Sequence, residues 1–230
     1  MTLSELHEKL LTWATSDKRK EELLAARRDH FDRHGEPHEE DKSFETRMNG
    51  MLDHYLYDFR PPGSTETTIE IFMREMGPEL TTDELALYRV LAKTVHGIFE
   101  VKKIRTGEIR LRDCFTDVLH EVTERRQMLG LAKGDILEAR LLPFEGRLFF
   151  SGAFLYHPQE VRKLVLNEVK RLRKEAGKGN QPDVEGFIAI LSRMALKLER
   201  YRNVKVESLY DFRPEARPAA TPPPRTPRTG

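Results

Sequence analysis

The chain has 230 residues, of which 38% are hydrophobic and 33% are charged, with 39 basic and 38 acidic side chains. This length allows one large domain or two small ones, and the near-neutral charge gives no global field that attracts nucleic acid or an anionic membrane. The lone cysteine, Cys114, excludes an intramolecular disulfide and a multi-cysteine zinc site, and we expect it to be a buried, inert thiol. Because we find neither a long apolar run nor a signal-peptide pattern, we expect a cytoplasmic protein without membrane association.

Apolar residues at helical spacing recur through the first 97 residues, which we predict to be a helical region. Leu3, Leu6 and Leu10 form the first such stripe. Thr81, followed three residues later by Glu84, is the capping-box pattern that begins a helix. The N-terminal half is therefore predicted to consist of several short amphipathic helices.

The pattern changes to short runs of alternating polarity between residues 98 and 157. Ile109 and Leu111 share one parity, with Arg110 and Arg112 on the other, as expected for a strand with one solvated face. The five runs are residues 99–105, 108–115, 118–125, 136–142 and 147–155. Five short strands separated by turn residues predict a small antiparallel β-sheet or an open barrel.

The C-terminal part is predicted to consist of helices followed by a tail. Residues 158–212 show two stretches with a helical period, and residues 213–230 contain six of the 13 prolines. Such a tail buries too little apolar surface to offset its ordering entropy, so we predict that it is disordered. The predicted fold class is thus α+β, with the four regions 1–97, 98–157, 158–212 and 213–230.

The hexapeptide LYDFRP occurs twice, at residues 56–61 and 209–214. One interpretation is that both copies end helices, since proline prevents continuation. The other is that one copy occupies a site meant for the other. The candidate binding residues are Asp58, Phe59, Arg60, Asp211, Phe212 and Arg213. We expect the first copy to be structural and only the second to be free to act as a ligand, so that Phe212→Ala leaves folding nearly intact and Phe59→Ala does not.

Three histidines, His30, His34 and His38, recur every four residues. The first two would share a helix face, a geometry that can hold a divalent metal. The preferred interpretation is a solvated helix end followed by a polar loop, because Gly35 and Pro37 break the helix before His38. We therefore predict no cofactor and keep these histidines as the alternative metal site.

A basic helix is predicted after Pro158, with the cationic residues Lys163, Lys170, Arg171, Arg173 and Lys174. Together with arginines of the sheet, including Arg140, it makes nucleic acid an alternative partner, since small barrels bind strands with basic and aromatic side chains. Interleaved acidic residues favour a solvated face of mixed charge instead. No catalytic residue is predicted, because the GxSxG, GxxxxGK[ST] and GxGxxG patterns are missing.

Several short stretches are shared with a bacterial protein family. They lie at residues 34–36, 39–48, 56–60, 99–101, 111–113, 133–137 and 139–141. On these residues the chain, from about residue 20 to 160, resembles a family of unknown activity best represented in myxobacteria. The later stretches are similar to a region that accompanies SEC-C metal motifs, but the cysteine motif itself is absent, since Cys114 is the only cysteine. The resemblance implies no reaction.

The sequence as a whole favours a non-enzymatic cytoplasmic interaction or regulatory protein with a protein partner. The alternative is a nucleic-acid-binding accessory protein that uses the basic helix and the sheet arginines. An enzyme is the third interpretation.

Overall fold

The computed structural model describes residues 1–124, 130–177, 179–201 and 203–213. The predicted proline-rich tail, apart from Arg213, lies outside the described residues. Within the described part, five helices come first, a β-barrel follows, and further helices close the chain.

The N-terminal helices begin at residues that cap them. Thr2, Thr67 and Thr81 each accept a hydrogen bond from a backbone N–H at the helix start, while a glutamate three residues later accepts one in return. The helices are α1 (Leu3–Ala14), α2 (Lys20–His34), α3 (Phe44–Tyr57), α4 (Thr68–Met76) and α5 (Thr82–Leu91). The capping box predicted at Thr81 is therefore confirmed.

A helical core forms where α1, α3, α4 and α5 meet. Tyr55 and Tyr88 are fully buried there, and their hydroxyls donate to the carbonyl oxygens of Ala14 and Leu6, each at 2.9 Å. Since a buried hydroxyl is costly without a partner, these bonds fix how α3 and α5 pack on α1. The same cluster includes Leu142 of the barrel. The helices and the barrel thus share buried apolar surface.

Five strands form a closed barrel. They are β1 (Val95–Arg105), β2 (Glu108–Asp113), β3 (Leu119–Thr123), β4 (Ile136–Phe144) and β5 (Arg147–His157). The cyclic order is β1-β2-β3-β5-β4, and neighbours are antiparallel except β3 and β5, which pair in parallel at Val122 and Leu148. The interior is filled by apolar side chains such as Phe99, Leu111 and Leu137.

The α+β class is correct, but the predicted small antiparallel sheet or open barrel is wrong, because the sheet is mixed and closed. Alternation of polarity reveals which face of a strand is buried, not which strand it pairs with. Closure depends on two pairings between strands distant in sequence, β1 with β4 and β3 with β5. Strand order alone identifies no function.

Helix α3 packs closely against β5 beside a β-bulge. The pairing of β4 with β5 shifts register between Ala139 and Leu141, which leaves Arg140 opposite several residues of β5. A Cβ atom on Gly152 of β5 would stand 3.2 Å from the side-chain nitrogen of Asn49 on α3. Glycine at this position therefore lets the helix approach the strand.

The two predicted C-terminal helices are present as α6 (Arg162–Ala176) and α7 (Val184–Arg200), and a short α8 (Val206–Leu209) follows. They cover another side of the barrel, where Val165, Phe187 and Leu191 pack with Ile98 of β1. In the described ranges, no helix combines the length and the apolar character needed to cross a membrane.

Candidate functional site

A polar cavity lies where α2, α3 and α7 meet the outer face of the barrel. Its volume is about 30 Å³, which is room for about two water molecules. The polar residues that line it are His30, His34, Thr46, Arg47, Asp53, His54, Asp58, His96, Glu138, Arg140, Glu185 and Ser192. Polar groups are rarely concentrated in this way beneath the surface of a small protein, since burial without partners is costly.

The barrel contributes Glu138 and Arg140, which stand two residues apart on β4. Because side chains alternate along a strand, both point away from the barrel interior, while Leu137, Ala139 and Leu141 point into it. Arg140 lies opposite the bulge in β5, and this residue is only 3% exposed.

Helix α2 contributes two stacked histidines. The rings of His30 and His34 lie 4.1 Å apart at 10°, and the ring of His54 on α3 lies 5.3 Å from that of His30. Nδ1 of His34 lies 3.0 Å from the carbonyl oxygen of His30. A carbonyl oxygen only accepts, so Nδ1 carries the proton and Nε2 keeps a lone pair. Burial lowers the pKa of His34 to about 4 and that of His30 even further, so both rings are neutral at neutral pH.

His54 bridges two carboxylates at the edge of the cavity. Its Nε2 lies 3.0 Å from Oδ2 of Asp29, and its Nδ1 lies 3.8 Å from Oδ2 of Asp58. Burial alone would lower the pKa of His54, but the two carboxylates outweigh burial and raise it. Burial would likewise raise the pKa of Asp58, yet His54 and Arg140 lower it to about 2.

The two arginines of the cavity already have partners for most of their N–H groups. Arg47 donates through Nε to Oγ of Ser43 at 2.7 Å, and through Nη1 and Nη2 to Oγ and the carbonyl oxygen of Ser192 at 2.9 and 3.0 Å. These bonds tie α3 to α7. Arg140 donates through Nη1 to Oγ1 of Thr94 at 2.6 Å and through Nη2 to Asp58.

Several other polar atoms of the cavity residues have no partner. Of the nine buried side-chain nitrogen and oxygen atoms that lack a hydrogen bond in the described residues, five belong to residues that line this one cavity. They are His30 Nδ1, His34 Nε2, Asp53 Oδ2, Glu138 Oε2 and Arg140 Nε. Each such atom costs about 1–3 kcal/mol. Their concentration indicates that water or a ligand supplies the missing partners.

Two carboxyl groups of the cavity favour the protonated form. Burial raises the pKa of Asp53, and it raises the pKa of Glu138 to about 7. Near neutral pH, Glu138 is therefore divided between its acid and its carboxylate. Strongly shifted pKa values in a cavity are typical of functional sites.

A surface cleft adjoins the cavity. The cleft has a volume of about 550 Å³ and includes Phe59 and Arg60 of the first LYDFRP copy. It shares His54, Asp58 and Glu185 with the cavity. These three side chains therefore form the wall between the cavity and solvent.

The predicted histidine trio is only partly assembled. His30 and His34 face the cavity, whereas His38 is exposed and its backbone N–H donates to Oδ2 of Asp41 at 2.7 Å. In the ranges that the structure describes, no group of three or more His, Cys, Asp or Glu residues is arranged to hold a metal ion.

The two LYDFRP copies are packed in a similar way. In each copy the tyrosine is buried, the aspartate and phenylalanine are half-buried, and the arginine is exposed. The Tyr210 hydroxyl lies 3.0 Å from Nδ1 of His157, and the ring of Phe212 lies 5.7 Å from that of Phe187. The second copy is thus held against the C-terminal helices and the barrel, and Asp211 pairs with Arg213 rather than standing free.

The predicted basic patch divides into paired and unpaired cations. Ion pairs join Arg171 to Glu168 and Glu175, and Arg173 to Asp117. On the sheet, Arg110 pairs with Glu121 and Arg112 with Glu100. Only Lys163, Lys170 and Lys174 of the patch are exposed without an ion pair to another described residue. Cys114 is buried, and burial raises the pKa of its thiol to about 12.

Sequence reasoning missed most of the cavity. Asp53 and Glu138 had no motif to mark them, and Arg140 was grouped with the charges of the solvated face. The one local signal is the placement of Glu138 and Arg140 within the otherwise apolar strand Ile136–Phe144.

The fold and the site together define a helix-and-barrel protein with a buried polar cavity that is incompletely hydrogen-bonded. The chain belongs to the Family of unknown function (DUF7986), whose model matches residues 2–192. This range contains all the cavity residues, whereas the second LYDFRP copy lies outside it. No curated protein and no solved structure matches the chain.

Proposed function

We propose that this protein binds a small polar molecule in the polar cavity, and that it acts as a non-enzymatic binding or regulatory protein. The observation that carries the proposal is that five buried polar atoms without a partner among the described residues belong to residues that line one cavity. A ligand that hydrogen-bonds these atoms recovers the free energy lost by burying them.

The position of the cavity supports a regulatory role. Its lining comes mainly from α2, α3, α7, β1, β4 and β5, so a bound molecule contacts both the helices and the barrel. Because these elements are distant in the chain, a ligand that bridges them stabilises their arrangement relative to the unfolded chain. Such a ligand therefore raises the stability of the whole fold by mass action.

The test is a thermal-shift screen of the full chain against five classes of small polar compound. The classes are primary amines, amino acids, carboxylates, phosphate esters and neutral polyols. At about 100 times its Kd a ligand adds about 2.7 kcal/mol, which raises the Tm of a chain of this size by about 5–10 °C.

The matched control is the double variant Asp53→Asn, Glu138→Gln, which keeps side-chain volume and replaces the two carboxyl groups that each have an unpartnered oxygen. We expect at least one class to raise the Tm of the wild type and to have little effect on this variant. Equal shifts in both proteins, or no shift with any class, would contradict the proposal.

The proposal also includes a protein partner, a cytoplasmic location and a relation to myxobacterial proteins. A protein partner and a cytoplasmic location agree with a chain that has one unpaired cysteine and no need of an oxidising compartment. The relation to myxobacterial proteins and to the region beside SEC-C motifs rests on the short shared stretches given above. Affinity purification of the full chain from its own cells tests the partner.

The second candidate function is nucleic-acid binding. Two observations favour it: the small five-stranded barrel and the exposed Lys163, Lys170 and Lys174 on α6. The ion pairs of the sheet arginines weaken it, since a phosphate would have to displace a carboxylate at each of them. Anisotropy of a labelled oligonucleotide at low and high salt tests this candidate, with the triple Lys→Glu variant at these positions as control.

A further inference from the structure

We infer that the ligand of the polar cavity is a small organic cation with a primary ammonium group. The inference rests on the proposed function, because it names the chemistry of the molecule that the cavity binds. It follows from which hydrogen-bond partners the cavity lacks.

The unpartnered atoms are mainly acceptors. Asp53 Oδ2 and Glu138 Oε2 accept a hydrogen bond when these groups are ionised, and His34 Nε2 accepts one. His30 Nδ1 accepts in the tautomer that carries the proton on Nε2, and only Arg140 Nε must donate. A primary ammonium group has three donors and no acceptor. The cavity and the ammonium group are therefore complementary.

His34 supports this choice most strongly. Its Nδ1 proton is committed to the carbonyl oxygen of His30, so its buried Nε2 atom is an acceptor with no donor among the described residues. A carboxylate or a phosphate dianion has no proton to donate to this atom. An anion would leave it unsatisfied.

The arginines do not favour an anion either. Arg47 is bound by Ser43 and Ser192, and Arg140 by Thr94 and Asp58. An anion would have to displace Asp58 from Arg140 to gain a bidentate contact.

The ionised carboxylates add the charge that a cation needs. Burial favours the protonated forms of Asp53 and Glu138, and a bound cation opposes this preference. With both deprotonated, the lining contains the four carboxylates of Asp53, Asp58, Glu138 and Glu185. They face the three cations Arg47, Arg140 and protonated His54. One bound monocation then balances the site.

The size of the cavity determines which part of the ligand it can hold. A volume of about 30 Å³ holds an ammonium group but not a longer ligand, whereas the adjoining cleft of about 550 Å³ holds a carbon chain. The two spaces share His54, Asp58 and Glu185. The ammonium group therefore lies in the cavity and the chain extends past these residues along Phe59.

The experiment compares four probes with the same carbon chain and different head groups: n-butylamine, n-butyltrimethylammonium, butyrate and n-butanol. Isothermal titration of the full chain measures Kd, and repeating it in buffers of different ionisation enthalpy measures proton exchange. We expect n-butylamine to bind with a Kd of about 1 mM or tighter and the other three at least about tenfold more weakly.

Proton release is the second expected result. The charged and titratable groups that act on Glu138 through their charge are His96 of β1, Arg47 of α3 and Glu185 of α7, and all three line the same cavity. A cation that binds the Glu138 carboxylate displaces its proton, so the affinity for n-butylamine rises from about pH 6 to about pH 8. Glu138→Gln should weaken the binding of n-butylamine about tenfold or more and remove the part of the proton release that comes from Glu138. Asp53→Asn is the second site variant, and Glu207→Gln on α8 is the control.

The outcomes separate the two proposals. If butyrate binds more strongly than n-butylamine, or if n-butyltrimethylammonium binds equally well, the ligand is not a cation with N–H donors. The cavity would still be a binding site in either case. Failure of n-butylamine to bind at about ten times the expected Kd overturns the ammonium ligand. If, in addition, no class in the thermal-shift screen binds, the proposed function itself is wrong.

Discussion

Asp58, the C-cap residue of helix α3, forms an ion pair with Arg140 of strand β4, opposite the bulge in β5. Asp58 is the aspartate of the first LYDFRP copy, and its side chain is 34% exposed, whereas that of Arg140 is 3% exposed. The pair thus joins the helical region to the barrel at the wall of the polar cavity. The repeated motif marks the site through this contact and not through a contact between the two copies.

Replacing Asp58 should leave the Arg140 charge buried without its carboxylate. We expect Asp58→Asn to lower the free energy of unfolding by about 2–3 kcal/mol, because breaking a buried ion pair costs more than the pair contributes. The double variant Asp58→Asn, Arg140→Met should recover part of this loss. Urea unfolding measures both, and a loss below about 0.5 kcal/mol in the single variant would show that the pair is solvated.

The two tyrosines of the repeats should respond differently to loss of their hydroxyl. Tyr210 is hydrogen-bonded to His157, whereas the buried hydroxyl of Tyr57 has no hydrogen-bond partner among the described residues. Tyr210→Phe should therefore cost about 1–2 kcal/mol, and Tyr57→Phe should be neutral or slightly stabilising. Each variant controls the other in thermal unfolding. The reverse order would mean that the hydrogen bond of Tyr210 does not form.

The two phenylalanines of the repeats should be equally important for folding. Phe59 packs against His54 and Tyr55, and Phe212 packs against Phe187. Both are half-buried, so each alanine substitution should cost about 1–3 kcal/mol. This replaces the sequence-based expectation that only Phe59 is structural. Urea unfolding in which Phe212→Ala retains wild-type stability while Phe59→Ala does not would restore that expectation.

Arg47 should not tolerate substitution by lysine. Its guanidinium reaches Ser43 and two oxygens of Ser192 at once, which a single ammonium group cannot do. We expect Arg47→Lys to lower the free energy of unfolding by about 2 kcal/mol or more. The matched control is Arg74→Lys, since Arg74 is exposed and its pair with Glu66 should contribute less than about 0.5 kcal/mol. Similar losses in both variants would contradict the assigned role of Arg47.

Glu138 should make the stability fall as pH rises. Its pKa is about 7 in the folded protein against 4.5 when unperturbed, so between these values the folded state binds more protons than the unfolded state. The free energy of unfolding then decreases with pH across this window, by up to about 3 kcal/mol, and levels off above pH 7. In ligand-free protein, Glu138→Gln should remove the decrease in unfolding free energy with pH that comes from Glu138.

The measurement is the difference in unfolding free energy between Glu138→Gln and the wild type at about pH 5 and about pH 8. The pH dependence from His54 and the other groups is common to both proteins and largely cancels. We expect the difference to grow in favour of the variant as pH rises. A difference that is constant with pH would mean that the Glu138 carboxyl titrates normally.

Local chemistry explains which parts of the fold the sequence predicts. The capping box at Thr81 and the five alternating runs depend on near neighbours, and the structure has both. Closure of the barrel depends on the pairing of β3 with β5, whose residues Val122 and Leu148 are distant in sequence. No local pattern encodes that pairing.

The polar cavity, too, depends on contacts between distant residues that a local sequence pattern does not reveal. His30 and His34 were found because they lie four residues apart on one helix, as the spacing indicates. Glu138 and Arg140 alternate with apolar residues just as solvent-facing charges do, so the pattern alone predicts a solvated face. Only the packing of α3 against β5 shows that these two side chains face a cavity.

The most direct test of the central claim is a high-resolution crystal structure of the full chain grown with n-butylamine at about pH 8. Our account predicts ordered density larger than water in the cavity, with a nitrogen within hydrogen-bond distance of Asp53 Oδ2, Glu138 Oε2 and His34 Nε2. Density from ordered water alone, or side chains that satisfy one another without a ligand, would contradict it.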